Sequence, residues 1–580
     1  MHTDSKFHRC SPHWRLLKVW GIALLILGVQ EVMLAPSLRA DESKVPRNIV
    51  LVISDQESFH LNTPADYRLP ARDELKRRGV TFLQHYTAAA MCTPSRSVMF
   101  TGQPPQVNGV FDQMELGYVP SMSVHHPTMG IIMRELGYAT AYFGKFELNR
   151  ELIFASDTVN YTRSLRKYGF DVFPADGDKT GSPNQGYDTD EYTVSASNRW
   201  LRTHAQRLNR EGKPWLVVVS MVNPHDIMYT DANIPGEYIQ ASLAGGKITP
   251  PPDNTMYKKQ WEFALYPSLN QPLDLPGRPK AQREYLEGWS DWVGFIPTNR
   301  PDMWKRFYNC YLNLIQDNDR NLQSLLDTIS ELGLWKNTAV VLTADHGELA
   351  GSHGGLRGKG PFAYEPMAHI PLIIAHPDRA SGQTCSAVTS QIDLLPTLVG
   401  LTERAKIQRQ QVTAGMPGRD LTFLLKDPKS AKPHAARPGA LFNYVGIQLI
   451  DANYFRQIAP LQARGEYAPP LSKLRPNLSK RGLMSFVFDG RYKFARYYAP
   501  DNFNTPKTLD EIYANNDLEL FDLQEDPTEV TNLATDREKN GELVLRMNTL
   551  LNDLMDAEVG QNEGAFLPEP VRPGPLKFTR

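Results

Sequence analysis

Three continuous apolar runs punctuate the chain and predict buried β-strands. They are Asn48–Ile53, Trp215–Val219 and Ala339–Leu342. A strand covered on both faces reads as such a run, whereas a half-exposed strand alternates apolar and polar residues. Shorter apolar segments predict two further strands, at Ala139–Phe143 and Pro371–Ala375.

Stretches with helical spacing of apolar residues separate these strands. They cover Arg72–Arg78, Pro127–Leu136, Glu191–Leu208 and Met303–Leu332. Alternating strands and helices favour an α/β fold, with a mostly parallel or mixed central sheet sandwiched by helices. We therefore expect a large core around that sheet.

The remainder of the chain predicts three further regions. Residues 227–301 are rich in proline and aromatic residues and predict an irregular insertion, either a functional lid or solvated decoration. Strand character at Ser485–Tyr498 and a helix at Asn540–Met555 predict a smaller C-terminal α+β domain. We place this domain at 438–580, after a main domain at 46–437.

The first forty residues are typical of a signal peptide. A basic start precedes the apolar run Val19–Leu27, and Ala40 is a candidate for the last residue before cleavage. The run is shorter than the ~20 residues that span a bilayer, which favours cleavage over an uncleaved anchor. Because no later segment is long and apolar enough to span, we expect an exported chain, periplasmic or secreted, without a membrane span when mature.

Composition and charge argue against a nucleic-acid-binding protein and against a disulfide scaffold. The 580 residues are 41% hydrophobic and 22% charged with a net charge of -1, so neither charge nor a basic stripe indicates nucleic-acid binding. Only 4 cysteines are present, too few for a disulfide scaffold of this length. Removal of Cys10 would leave Cys92, Cys310 and Cys385, and the last two are either a pair or two thiols.

Each of the three main strands ends in polar residues. Asp55 and Gln56 follow the first strand, His225 follows the second, and Asp345 and His346 follow the third. In open α/β sheets, ligands bind outside the carboxyl ends of the strands. The sequence therefore predicts a site at that edge of the sheet.

The segment Cys92-Thr93-Pro94-Ser95-Arg96 carries a candidate nucleophile. Proline is common in the first turn of a helix, so Pro94 places Cys92 at a helix N-terminus, where the helix dipole favours anions. An unmodified thiol there is expected to have a lowered pKa.

This segment resembles the signature of the formylglycine-dependent sulfatases of the alkaline phosphatase superfamily. The resemblance runs from about Pro46 to Ala534 in the family's order. It rests on Cys92–Arg96 with Thr101-Gly102, on Asn48–Asp55, Gly137–Ala141 with Gly144-Lys145, Asp345–Glu348, Lys359, Ile370–Ile374, Asp393–Leu398, and Glu519–Leu523 with Asp526-Pro527.

The resemblance implies a reaction and a set of roles. A formylglycine-generating enzyme would oxidise Cys92, and the hydrated aldehyde would attack sulfur, giving a covalent sulfo-enzyme that releases the alcohol and then sulfate. Arg96, Lys145 and Lys359 would balance negative charge, and His225 would contact sulfate or act as an acid.

The resemblance also implies one divalent cation. Its ligands would be Asp55, Gln56, Asp345, His346 and the nucleophile oxygen derived from Cys92. Oxygen ligands favour Ca²⁺, but Gln56 replaces a family aspartate and His346 an asparagine, as in a branch similar to choline sulfatases and phosphonate monoester hydrolases. Because imidazole suits Mn²⁺ or Zn²⁺ better, the metal identity stays open.

A third departure concerns the second step of the reaction. Glu147 stands where the family has a histidine beside the nucleophile. A carboxylate with a suitable pKa would serve as the base of this step, but it would repel a dianionic intermediate. Either Glu147 therefore points elsewhere or the second step uses another base. His353 and His369 match no signature and are assigned structural roles.

The predicted function is hydrolysis of sulfate esters, with a sulfated small molecule or sulfated carbohydrate as substrate. One rival is a phosphonate monoester or phosphodiester hydrolase on the same scaffold. The other is a catalytically weak homologue that binds sulfated glycans.

Overall fold

The computed structural model describes residues 48–573 except 154–160, 174–176 and 247. The predicted signal peptide therefore lies outside the described residues. Within them, no helix has the length and apolar character needed to cross a membrane. The described residues cluster as one compact unit.

A seven-stranded sheet forms the centre of this unit and confirms the predicted α/β class. Its order is β3-β4-β1-β5-β6-β2-β7. The strands are β1 Asn48–Asp55, β2 Gly79–Tyr86, β3 Ala139–Gly144, β4 Trp215–Pro224, β5 Thr338–Ala344, β6 Leu372–Ala375 and β7 Gln383–Ser390. All neighbours are parallel except those of β6, which is antiparallel to β5 and β2.

Both faces of the central strands are covered. Along β1, Leu51 and Ile53 belong to one apolar core, while Val50 and Val52 belong to the core on the opposite face. All eight residues of β1 are buried. This double burial explains why β1, β4 and β5 are apolar without alternation.

The helices of seven or more residues cover the sheet and extend to the C-terminal region. They are Pro70–Arg78, Cys92–Thr101, Met129–Glu135, Gln185–Trp200, Lys280–Val293, Pro301–Glu331, Leu394–Leu401, Lys406–Val412, Ala452–Ala463, Leu509–Asn515 and Arg537–Glu558. A π-helical turn, Leu201–Ala205, continues Gln185–Trp200 into a short helix, Gln206–Arg210. The proline-rich insertion contains Lys280–Val293, a 14-residue helix that starts directly after its last clustered proline, Pro279.

A smaller antiparallel sheet lies in the C-terminal region, in the order β11-β10-β9-β8. Its strands are β8 Ala440–Tyr444, β9 Leu483–Phe488, β10 Tyr492–Tyr498 and β11 Asp517–Asp522. The helix Arg537–Glu558 packs on β9 and β10 and shares an apolar core with them. The domain boundary at 437/438 stays a prediction.

The two sheets are joined beside the candidate nucleophile. Asn443 of β8 forms a parallel bridge with Ala89, and its backbone N–H donates to the Ala88 carbonyl at 2.9 Å. The loop that leads into Cys92 is thus held by the C-terminal sheet.

The three described cysteines are free and buried. Cys310 and Cys385 are therefore separate thiols, the second of the two alternatives that the sequence left open. Cys310 contacts the Thr230 hydroxyl at 3.4 Å.

Candidate active site

The carboxyl ends of four adjacent parallel strands bring the predicted site residues together. Asp55 ends β1, Asp345 follows β5, His225 follows β4 and Lys145 follows β3. Since β3, β4, β1 and β5 are neighbours in the sheet, these side chains meet at one edge. The convergence follows from strand order rather than from proximity in sequence.

Cys92 is the first residue of the helix Cys92–Thr101, as the position of Pro94 predicts. Its Sγ lies 3.2 Å from His346 Nε2 and 3.8 Å from Asp55 Oδ1. The side chain is buried, with an exposed fraction of 1%. Cys92 therefore faces the two residues predicted to share a cation with it.

The pKa expectation for this thiol is wrong. Burial raises the pKa of Cys92 well above its usual range, and the Asp55 carboxylate adds to the rise. Lys145 and Lys359 lower the pKa by less. A helix N-terminus lowers a thiol pKa only when burial and a nearby carboxylate do not outweigh it.

Arg96 lies one turn along the same helix and joins both aspartates. Its Nη2 is 3.0 Å from Asp55 Oδ2 and 3.1 Å from Asp345 Oδ2. The Arg96 side chain is fully buried and also donates to the Lys145 carbonyl and the Ser220 hydroxyl, each at 2.9 Å. These contacts fix one oxygen of each carboxylate.

Lys145 adds a second buried cation. Its Nζ lies 2.7 Å from Asp55 Oδ2 and 3.3 Å from Glu147 Oε2. Although burial alone would raise the pKa of Asp55, Lys145, His225, Arg96 and His346 together hold it well below its usual range. Asp55 is therefore a carboxylate within a densely charged, buried site.

Four residues can hold a cation. The ligand atoms of Asp55, Cys92, Asp345 and His346 all lie within 4.8 Å of one another and are buried. His346 Nδ1 is 3.1 Å from the Gly347 carbonyl, which leaves Nε2 to face Cys92, and burial lowers the pKa of His346 to about 4. A neutral imidazole and two carboxylates form a donor set that fits a divalent cation.

Gln56 and Lys359 form a chain of hydrogen bonds at the edge of this cluster. Gln56 Oε1 accepts from Lys359 Nζ, and Gln56 Nε2 donates to Glu348 Oε2. Glu348 in turn accepts from the backbone N–H groups of Ala350 at 2.8 Å and Gly358 at 2.7 Å. The side-chain oxygen of Gln56 is thus directed at Lys359, and its role as a metal ligand stays a prediction.

Glu147 points into the site rather than away from it. Besides the Lys145 contact, its Oε2 lies 3.9 Å from Arg96 Nε, and its side chain is buried. The Asp178 carboxylate holds the turn by accepting from the backbone N–H groups of Phe146 at 2.8 Å and Glu147 at 2.6 Å. Burial raises the pKa of Glu147 well above its usual range, and neighbouring Glu115 adds to this shift.

A cavity of about 330 Å³ opens beside the cluster. His225 and Lys359 line it near the cluster, and Trp289, Trp292 and Phe455 supply aromatic walls. His225 is buried with no hydrogen-bond partner for Nδ1 among the described atoms, and burial with nearby Lys359 holds its pKa well below the usual range. The cavity therefore joins a polar end to an aromatic end.

Several residues of the site carried no recognisable sequence signal. Asp178 and Glu115 lie in loops without regular spacing, and Gln448 and Phe455 reach the cavity from the C-terminal region. Trp289 and Trp292 had a weak signal, because they are three residues apart on the helix Lys280–Val293.

Comparisons with known proteins identify the family of the chain. The family model described as Sulfatase matches residues 47–404. A ulvan-active sulfatase of Formosa agariphila is 26% identical over 417 residues, covering 70% of this chain and 69% of its own. A choline-sulfatase of Rhizobium meliloti is 25% identical over 529 residues, covering 84% and 82%.

Among solved structures, a 2-O GAG sulfatase superposes with a TM-score of 0.60 at 20% identity, covering 88% of this chain and 92% of that structure. This likeness supports the fold, and the family match covers more than half of the chain. The chain therefore belongs to the Sulfatase family and is a sulfuric ester hydrolase.

Proposed function

We propose that this enzyme hydrolyses sulfate esters with a formylglycine at position 92 and a divalent cation beside it, through a covalent sulfo-enzyme. The observation that carries the proposal is the burial of Cys92 against Asp55 and His346. Arg96 and Lys145 both contact the Asp55 carboxylate.

The state of Cys92 supports an oxygen nucleophile. An unmodified thiol with a raised pKa is protonated at neutral pH and is a poor nucleophile. Oxidation of the side chain by the formylglycine-generating enzyme gives an aldehyde whose hydrate carries two hydroxyl groups. One hydroxyl attacks sulfur as the sulfur–oxygen bond to the leaving alcohol breaks, and the proton that this hydroxyl loses balances the one that the alcohol gains. Transfer of the proton of the other hydroxyl to a base then re-forms the aldehyde as the carbon–oxygen bond to sulfate breaks.

Asp55, Asp345 and His346 would hold the cation together with the oxygen at position 92. Bound there, a divalent cation supplies Lewis-acid stabilisation of the sulfuryl oxygens. Two carboxylates favour Ca²⁺, while His346 would also suit Mn²⁺ or Zn²⁺. Arg96 orients both aspartates for this task, and Lys145 contacts Asp55 as well.

Lys359 and His225 would bind the sulfate group at the mouth of the cluster. Both line the cavity, and His225 presents an unpartnered ring nitrogen. A cation and a hydrogen-bonding imidazole placed there would stabilise charge that develops on the sulfuryl oxygens. Because its pKa is held well below the usual range, His225 would act here as a neutral hydrogen-bonding group rather than as an acid.

Glu147 would take the place of the family histidine as the acceptor of the proton that the second hydroxyl loses. Burial raises the pKa of Glu147 well above its usual range, which makes its carboxylate a stronger base for this step. Its Oε2 lies 3.3 Å from Lys145 Nζ, so Lys145 holds the carboxyl group at this end of the site.

The aromatic end of the cavity supports a sulfated carbohydrate as substrate. Trp289, Trp292 and Phe455 offer flat apolar surfaces, while Gln113 and Gln448 offer hydrogen-bonding groups. Sugar rings have apolar faces and hydroxyl rims, so they match such a lining. The start of the chain at 1–40 supports export, to the periplasm or beyond.

The mass of the tryptic peptide Gly79–Arg96 tests the nucleophile. We expect the aldehyde form in protein from a host with the maturation enzyme and the heavier thiol form from a host without it. An intact thiol in active protein from both hosts would refute the formylglycine.

A substrate panel tests the reaction. Aryl sulfate should be hydrolysed in preference to a phosphodiester and a phosphonate monoester. A strong preference for either phosphorus ester would favour a phosphonate monoester or phosphodiester hydrolase. Binding of sulfated sugars without turnover would favour a catalytically weak homologue that binds sulfated glycans.

A further inference from the structure

A second cluster of metal-binding side chains lies apart from the nucleophile. His60, Glu365 and His369 each offer a ligand atom within 4.8 Å of the others. His369 Nδ1 is 2.6 Å from Glu365 Oε2, and His60 Nε2 is 3.8 Å from that same oxygen. These spacings approach the roughly 3.3 Å that separates the ligands of a tetrahedral Zn²⁺ with bonds of about 2.0 Å.

His369 is held with Nδ1 directed at Glu365. Its ring stacks between Phe59, at a centroid distance of 4.3 Å, and Tyr86, at 4.7 Å. Nδ1 is hydrogen-bonded to Glu365 Oε2, so these are the two atoms that would share an ion once the ion displaces the proton between them. Nε2 lies on the opposite side of the imidazole ring and does not face Glu365.

The charge around the cluster favours a cation. Lys493 Nζ lies 2.6 Å from Glu365 Oε1 and 2.7 Å from Glu529 Oε1, so one cation faces two carboxyl groups. Glu365 Oε2 remains directed at the two imidazoles. Lys493 therefore contacts Oε1 and leaves Oε2 to the hydrogen bond with His369 Nδ1.

Solvent can reach the cluster. The His60 side chain is 61% exposed, and a cavity of about 540 Å³ is lined by His60, Glu365 and His369. None of its lining residues belongs to the cavity beside Cys92. An ion thus has an entry path, and the exposed His60 can move to close the ligand spacing.

The ligand types select the class of metal. Two imidazoles and one carboxylate suit Zn²⁺ and similar transition metals, whereas Ca²⁺ prefers six to eight oxygen ligands. Three protein ligands leave a fourth position for water.

We propose that His60, Glu365 and His369 form a second divalent-metal site, selective for Zn²⁺ over Ca²⁺. The site is independent of the proposed reaction at position 92. It replaces the purely structural role that the sequence indicates for His369.

The test is Zn²⁺ titration of the full chain after chelator treatment, followed by calorimetry and metal analysis. His60→Ala removes an exposed ligand, so the fold is preserved, and His125→Ala is the matched control because His125 is also exposed. We expect the wild type and His125→Ala to bind one Zn²⁺ with the same affinity at this site. That affinity should be at least about 10-fold weaker in His60→Ala. A second cation at the Cys92 cluster would appear equally in all three proteins.

A Zn²⁺-dependent rise in unfolding temperature supplies a second measurement. The rise should shrink in His60→Ala and persist in His125→Ala, and excess Ca²⁺ should not reproduce it. Identical isotherms for the wild type and His60→Ala would overturn the proposal. Equal weakening in both variants would overturn it as well, since binding would then be nonspecific.

Discussion

The two clusters combine similar side chains in opposite settings. At Cys92, every candidate ligand is buried, and Arg96 and Lys145 are bound directly to the carboxylates. At His369, one ligand is exposed, and of the two Glu365 oxygens Lys493 contacts Oε1, not the Oε2 that faces the imidazoles. A closed cluster with fixed cations suits a reaction in which negative charge develops on buried atoms, whereas an open one suits exchange of an ion with solvent.

The largest expected effect comes from removing the nucleophile. Cys92→Ala should lower kcat for aryl sulfate by at least about 10⁴-fold, because no other residue replaces the attacking oxygen. His125→Ala should retain wild-type kcat and serves as the control. Substantial turnover by Cys92→Ala would contradict this assignment, because the reaction would then not take place at the buried cluster around Cys92.

Loss of a fixed cation should cost stability in the closed cluster. Arg96→Met leaves Asp55 and Asp345 without their shared partner, and we expect the free energy of unfolding to fall by about 3–5 kcal/mol. Denaturant unfolding of chelator-treated protein measures this loss.

The matched control is Arg464→Met, which removes an exposed, solvent-screened pair with Glu466 and should leave that free energy nearly unchanged. Similar losses in the two variants would show that the Arg96 contacts are no stronger than a surface ion pair.

A buried histidine outside both clusters should give the smallest effect. Burial lowers the pKa of His376 to about 4, whereas an unfolded histidine titrates near 6.5. Between these values the unfolded chain binds the extra proton, so stability is present above about pH 6.5 and is lost as pH falls toward 4.

His376→Asn keeps an acceptor for the Asp378 backbone N–H, which lies 3.1 Å from His376 Nδ1. Between pH 6 and 4.5, the wild type should lose about 1.5 kcal/mol more unfolding free energy than this variant. Parallel losses in both proteins would mean that His376 titrates alike in the folded and unfolded states.

The strands of the central sheet differ in how well the sequence predicts them. β1, β4 and β5 are covered on both faces, so their apolar runs predict them. β7 is an edge strand with exposed positions, and β2 contains Gln84 and His85, so neither presents a continuous run. Edge strands follow their neighbours' geometry more than their own composition.

The same contrast holds for the two clusters. Asp55, Asp345 and Lys145 follow predicted strands, so strand order alone brings them together. His60, Glu365 and His369 lie in a loop, a short helix and the residue after it, and no regular spacing links His60 to the other two. The pKa of Cys92 was mispredicted for a related reason, since burial and the Asp55 contact depend on distant parts of the chain.

The bridge between Ala89 and Asn443 forms only after a long part of the chain has been synthesised. The walls around Cys92 include His346, 254 residues later in the chain, and its loop is held by Asn443, about 350 residues later. At about 5–20 residues per second of synthesis, roughly 20–70 s pass before Asn443 exists. During that interval the bridge cannot form, and the loop that leads into Cys92 lacks the support of the C-terminal sheet.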